Sequence, residues 1–368
     1  MKIENSGTFT GVKYGWLICL TVFLGLSVQA SVEPENPVRP VLEKARWRLV
    51  WSDEFSGPDL DTDPTCFTRI PQCLFGSSKA SPRNCPKSTW TNLSLLNKCH
   101  WSVLSFYNPM DQGAREGEGI NAFDPNEVIV RDGELILKSQ ARGRQYVDCG
   151  RTLEDLDEFG NRLRTNDCAF ISGGVTSRPF GESPHKEGSV HGLTIKYGRV
   201  EIRARLPQGP GNWPKYWMLP LTGSWPADGE IDLMERKVSH PWRVSGSLHG
   251  GEEDSSVHIQ SRHYLHAWQS FFLKYHVYAV EWSPHEIRYY VDQTLIGITR
   301  EGELTLDPVT HRKIPIHIPD RPFYLILSST IAPFSQAPPW FHPNPSDFTP
   351  QDHHIDYVRV FEPRRSPD

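Results

Sequence analysis

The stretch Trp225-Pro226-Ala227-Asp228-Gly229-Glu230-Ile231-Asp232-Leu233-Met234-Glu235 closes with three carboxylates set among apolar residues. Side chains alternate across a β-strand, so Glu230 and Asp232 share one face while Ile231 and Leu233 take the other. Strict alternation would then send Glu235 into the core beside Ile231. A β-bulge removes that conflict, because one extra residue re-aims the strand and returns Glu235 to the face of Glu230. Bulges are over-represented beside active sites, so the stretch reads as a bent strand with one buried and one working face.

The residues around it carry the same β rhythm. Val128-Ile129-Val130 and Leu135-Ile136-Leu137 flank Asp132-Gly133, a pair that accepts the positive φ angles of a two-residue hairpin turn. Val200 to Leu206 alternates strictly, Val277 to Trp282 and Ile287 to Val291 flank Ser283-Pro284-His285-Glu286, and Asp356 to Phe361 alternates again. No long stretch has the apolar period of an amphipathic helix. The expectation is an all-β fold of two packed antiparallel sheets. Asp61 to Glu118 and Ala332 to Pro350 break the rhythm and read as long surface loops.

Lys2 and Lys13 precede an apolar run from Trp16 to Val28, and Val28-Gln29-Ala30 offers a small-residue cleavage site, so residues 1–30 read as an export signal. A linker over 31–45, one domain over 46–363 with an insert near 61–118, and a tail over 364–368 complete the expected organisation. Cys19 lies in the leader; Cys66, Cys73, Cys85, Cys99, Cys149 and Cys168 form an even set, which in an exported protein suggests disulfides. Their pairing is open among the 15 connectivities that six cysteines allow. The mature chain is expected to be soluble outside the cytoplasm, a monomer, with no membrane partner. A formal charge of −5 provides no basic field for phosphate backbones, which argues against nucleic acid.

Paired carboxylates on one face suit glycosidic bond cleavage. A retaining glycosidase sets two carboxyl groups about 5–5.5 Å apart, one as nucleophile and one as acid and then base. With the bulge, the α-carbons of Glu230 and Glu235 lie roughly 13 Å apart at about 3.3 Å per step, and long side chains can lean together. Asp232 between them can hydrogen-bond the nucleophile, and one of three crowded carboxyls should keep its proton. Taken alone, acidic residues at this spacing more often form a solvated face.

Glu230 to Glu235 resembles the bulged Glu-Ile-Asp-x-x-Glu signature of glycoside hydrolase family 16. The resemblance extends through Leu49 to Phe55, Tyr197 to Pro207, Asn212 to Pro220, Tyr278 to Trp282 and Asp356 to Val360, in the family's order. It implies a β-jelly-roll sandwich with a concave carbohydrate-binding cleft, Glu230 as nucleophile, Glu235 as acid/base and Asp232 assisting. It also implies that Trp213, Trp217 and Trp225 face the substrate, although each could instead fill the core, and that His249 joins the site. No cofactor is required for catalysis; a structural calcium with Asp356 as ligand is the family's implied addition. The bulged form resembles the laminarinase, agarase and carrageenase branch. Trp-Pro-x-x-Trp-Met-Leu-Pro and Trp-Pro-Ala-Asp-Gly are most similar to β-1,3-glucanases, which implies a β-glucan substrate. Ser328 to Pro333 and the cysteine-bearing insert depart from that branch. The rivals are a glucan-recognition protein without catalysis, a galactanase and a transglycosylase of the same family. His353-His354 could bind a metal, but adjacent histidines on an exposed segment are more often incidental.

Overall fold

The computed structural model describes residues 46–56, 101–104, 121–141, 147–148, 167–178, 192–240, 242–252, 258–266, 270–307, 311–332 and 343–364. The chain divides into units Met1–Glu43 and Lys44–Asp368, and every described residue belongs to the second. The leader, six of the seven cysteines and most of the 61–118 insert therefore lie outside the described residues.

Two sheets pack face to face. The larger has ten strands in the spatial order Thr294–Arg300, Glu286–Val291, His276–Trp282, Gly198–Arg205, Gln351–Pro363, Glu134–Ala141, Phe170–Ser172 and Asn121–Phe123. Trp47–Asp53 joins it beside Gln351–Pro363, and Val128–Arg131 beside Glu134–Ala141. The smaller has seven strands in the order His258–His266, Arg243–Gly251, Glu230–Glu235, Asn212–Pro220, Phe323–Ile331, Gly174–Thr176 and Ser102–Val103. Pairing is antiparallel except between Asn121–Phe123 and Phe170–Ser172. These are the two packed antiparallel sheets expected from the strand rhythm, in the all-β jelly-roll sandwich that the family resemblance implies.

Local chemistry accounts for the pieces. Asp132 and Gly133 take φ of 55° and 80°, the left-handed pair that a two-residue hairpin turn requires. In Gly198–Arg205, Val200, Ile202 and Ala204 are buried while Glu201, Arg203 and Arg205 are partly exposed, which is the period of two that one packed face imposes. Those apolar residues meet Tyr216, Met218, Ile231, Leu233, Leu325 and Leu327 of the opposite sheet in one continuous core. Each large apolar side chain fully buried there contributes about 1.5–3 kcal/mol before entropy is counted.

Two expectations need correction. The stretch assigned to a surface loop over Asp61–Glu118 supplies an edge strand, Ser102–Val103, paired with Gly174–Thr176. Trp101 before it is 2% exposed and donates from Nε1 to Asp53 Oδ2 at 2.9 Å, so this end of the insert is core. His353 is likewise wholly buried within Gln351–Pro363, while His354 turns to Glu134 with Nδ1 at 2.8 Å from Oε2. Strand alternation sends neighbours to opposite faces, so the two histidines do not act together. Among the described residues no helix is long and apolar enough to cross a membrane.

Candidate active site

The smaller sheet presents its site in registered rungs. Lys215, Glu235 and Ser245 face one another across three strands; Trp217, Asp232, Ser247 and Arg262 form the next rung; Glu230, His249 and Gln260 form a third. The bulge that binds these rungs is visible in the pairing. Tyr216 faces Met234 and Trp217 faces Asp232, which leaves Leu233 as the inserted residue. Across the other edge, Asp232 to Glu235 is matched by Ser247 to Ser245, again one residue too many. Leu233 and Met234 both go into the core, at 2% and 1% exposure, and Glu235 returns to the face of Glu230 and Asp232.

Each carboxylate has its own donors. Trp225 Nε1 donates to Glu230 Oε2 at 2.6 Å. Asp232 is hydrogen-bonded to Glu230, accepts from Ser247 Oγ at 2.5 Å and lies 3.0 Å from His249 Nε2. Glu235 accepts from Trp213 Nε1 at 3.0 Å on one oxygen, and Arg262 Nη2 stands 3.1 Å from the other. Burial alone would raise the Asp232 pKa. The His249 charge and hydrogen bond, with those from Ser247 and Glu230, outweigh it and hold Asp232 below its ordinary value. His249 passes the contact on, its Nδ1 lying 2.8 Å from His258 Nε2 with the two rings stacked at 5.0 Å. Burial, then the charges of His249 and Arg262, push the His258 pKa down, so His258 is neutral and can supply a single N–H.

The carboxylates open into a cavity of about 380 Å³ lined by Trp213, Lys215, Trp225, Glu230, Asp232, Glu235, Lys237, Val238, Ser239, His249, His258 and Arg262. That falls within the about 300–1,000 Å³ of typical ligand sites. Trp225, 42% exposed, is a rim aromatic, and Trp213 lines the cavity although it is only 4% exposed. Trp217 is not brought to the cavity: it is buried in a satellite cluster with Leu104, Leu219, Tyr324 and Ile326. Asp356 lies elsewhere, its carboxylate bonded to the Arg203 guanidinium, and it belongs to no described group of three potential metal ligands. A guanidinium on the carboxylate competes with a cation, so the described side chains there do not fit the calcium site expected from the resemblance. Glu230, Asp232 and His249 bring ligand atoms within 4.8 Å of one another, but Asp232 is already bonded to both neighbours.

Lys215, Lys237, His258 and Arg262 went unnoticed in the sequence. Lys215 had a local signal, since it shares strand parity with Trp213 and Trp217. Arg262 and His258 had none: their strand follows Arg243–Gly251 directly and pairs with it, but no motif in its sequence marked it as part of the site.

A two-sheet β-sandwich carrying paired carboxylates on a bulged strand defines the class, and comparison specifies it. Residues 190–329 match the family described as Glycosyl hydrolases family 16. It is 37% identical over 344 residues to glucan endo-1,3-beta-glucosidase A1 of Niallia circulans, covering 92% of this chain and 41% of that protein. It is 30% identical over 294 residues to the keratan-sulfate endo-1,4-beta-galactosidase of Sphingobacterium multivorum, covering 74% and 65%. The chain thus spans less than two thirds of the length of either. The laminarinase catalytic domain of Thermotoga maritima superposes with a TM-score of 0.55 at 24% identity, over 87% of this chain and 100% of that one.

Proposed function

We propose that the chain is a retaining, endo-acting glycoside hydrolase that cuts β-1,3-glucan. The observation that carries this is the bulge at Leu233, which sets Glu230, Asp232 and Glu235 on one cavity wall, each with separate donors. In the first step a Glu230 oxygen attacks the anomeric carbon, the glycosidic C–O bond breaks, and Glu235 gives its proton to the departing oxygen. In the second, Glu235 takes a proton from water, the hydroxide displaces Glu230, and the product keeps its anomeric configuration. Asp232, in hydrogen-bond contact with Glu230, positions the nucleophile, and the Trp225 indole N–H holds its outer oxygen. Trp225 also offers an exposed ring face of the kind that packs on sugars.

Similarity to the Niallia circulans glucosidase favours a β-1,3-glucan backbone. Similarity to the keratan-sulfate galactosidase supports a second reading, a galactan. Incubation with laminarin, lichenan, agarose, carrageenan and xyloglucan separates them: internal cleavage of laminarin is expected, and reducing ends from a galactan alone would overturn the backbone assignment. Binding without release from any of them would favour a recognition protein. The reading includes export, with a mature terminus near Ser31 and disulfides among Cys66, Cys73, Cys85, Cys99, Cys149 and Cys168. Mass spectrometry of unreduced peptides tests this, and free thiols in the exported protein would contradict it.

A further inference from the structure

We propose that Lys215, Lys237 and Arg262 form an anion-binding subsite beside Glu235, so that the polysaccharide entering this cleft carries a sulfate or carboxylate group there. This rests on the assignment of the cavity to a polysaccharide and adds the charge of the substrate. A neutral glucan needs hydroxyl partners and apolar ring faces, yet three cations line the same wall. Arg262 has an explanation in its contact with Glu235, although its Nε is buried without a hydrogen-bond partner. Lys237 has none of this kind. Among the described residues its ammonium makes no hydrogen bond or ion pair, and its one close aromatic neighbour is Trp213, with the ring centroid 5.9 Å away.

The same indole holds the second ammonium, Lys215 Nζ lying 3.7 Å from its centroid, so both amines border Trp213. Lys215 is 6% exposed. Burial pushes the Lys237 pKa down, and the charges of Arg262 and Lys215 push it further, against the opposing pull of Glu235 and Asp232. Taking an ammonium out of water and crowding it with like charges costs free energy that a neutral sugar cannot return. An oxyanion accepting charge-assisted hydrogen bonds from Lys237 and its neighbours returns it. Sulfate esters and uronate or other carboxyl groups share this chemistry. The competing explanation is that the cations serve only as counter-charges to the three carboxylates.

The test compares laminarin with lightly O-sulfated and O-carboxymethylated laminarin at constant ionic strength, and titrates the protein with inorganic sulfate while following tryptophan emission, which Trp213 should report. The expected result is kcat/KM at least tenfold higher on one charged derivative than on laminarin, the better derivative identifying the anion. Lys237→Met should cut that ratio at least fivefold and abolish the saturable sulfate response, and Lys237→Arg should restore both. A ratio of one or less in the wild type, or a ratio and sulfate response unchanged in Lys237→Met, would overturn the subsite and leave the counter-charge explanation. If no glucan is cut but sulfate binds the wild type and not Lys237→Met, the β-1,3-glucan assignment fails and the subsite stands.

Discussion

Acid should loosen this sandwich through one buried imidazole. His353 sits wholly buried in Gln351–Pro363, with Nε2 2.5 Å from the hydroxyl of Tyr216 on the opposing sheet. Burial, then the charges of His354 and Arg236, lower its pKa from 6.5 to about 3. Because the folded value lies below the unfolded one, the neutral ring's contribution to stability is complete above pH 6.5. It is lost as pH falls toward the folded value, since only the unfolded chain takes up the proton. The slope approaches about 1.4 kcal/mol per pH unit, which integrates to about 2 kcal/mol between pH 6.5 and 4.5. His353→Gln removes the titration and keeps a partner for Tyr216. Urea unfolding of both proteins across that interval should show the wild type losing about 2 kcal/mol more than the variant. Parallel curves would refute the assignment of a neutral, acid-resistant His353.

Three further changes probe the site and its support. Trp225→Phe keeps a ring at the rim and removes the N–H on Glu230; an exposed hydrogen bond of this kind is worth about 1 kcal/mol, so kcat/KM should fall about fivefold, measured on laminarin. Deleting Leu233 removes the inserted residue, so plain alternation by itself keeps Glu230, Asp232 and Glu235 on one face; measurable turnover should survive, while loss of the buried leucine should cost about 2–5 kcal/mol in thermal unfolding, and a folded variant with no turnover would contradict the bulge assignment. Gly246→Ala would place a Cβ 2.3 Å from Tyr289 Cδ1, and the overpacking should cost about 1–3 kcal/mol in thermal unfolding.

What could be read in the sequence was what the chain encodes locally. The Asp132-Gly133 turn and the alternation of Val200, Ile202 and Ala204 are short-range signals, and both are present in the fold. The bulge was legible for a related reason, since three carboxylates cannot share one face of Glu230–Glu235 without an inserted residue. Properties set by distant strands stayed hidden. Trp217 has the same parity as Trp213, yet Leu104 and Tyr324 from remote segments cover it. Trp101 lay in a stretch with no strand rhythm, and its burial depends on Asp53, 48 residues away. His353 looked exposed because the larger sheet that buries it is assembled from many parts of the chain.

The most direct test of the central claim is azide rescue of the two glutamate variants on an activated aryl β-glucoside oligomer, with the anomeric configuration of the product read by NMR. Glu230→Ala should be inactive without azide and, with it, give the inverted glycosyl azide, because the anion enters where the nucleophile stood. Glu235→Ala should be nearly inactive on polysaccharide, keep activity on the aryl substrate, and give the retained azide, because the covalent intermediate still forms. Wild-type hydrolysis by both variants would show that the strand Glu230–Glu235 does not carry the chemistry, and the same anomer from both would contradict the division of roles between the two glutamates.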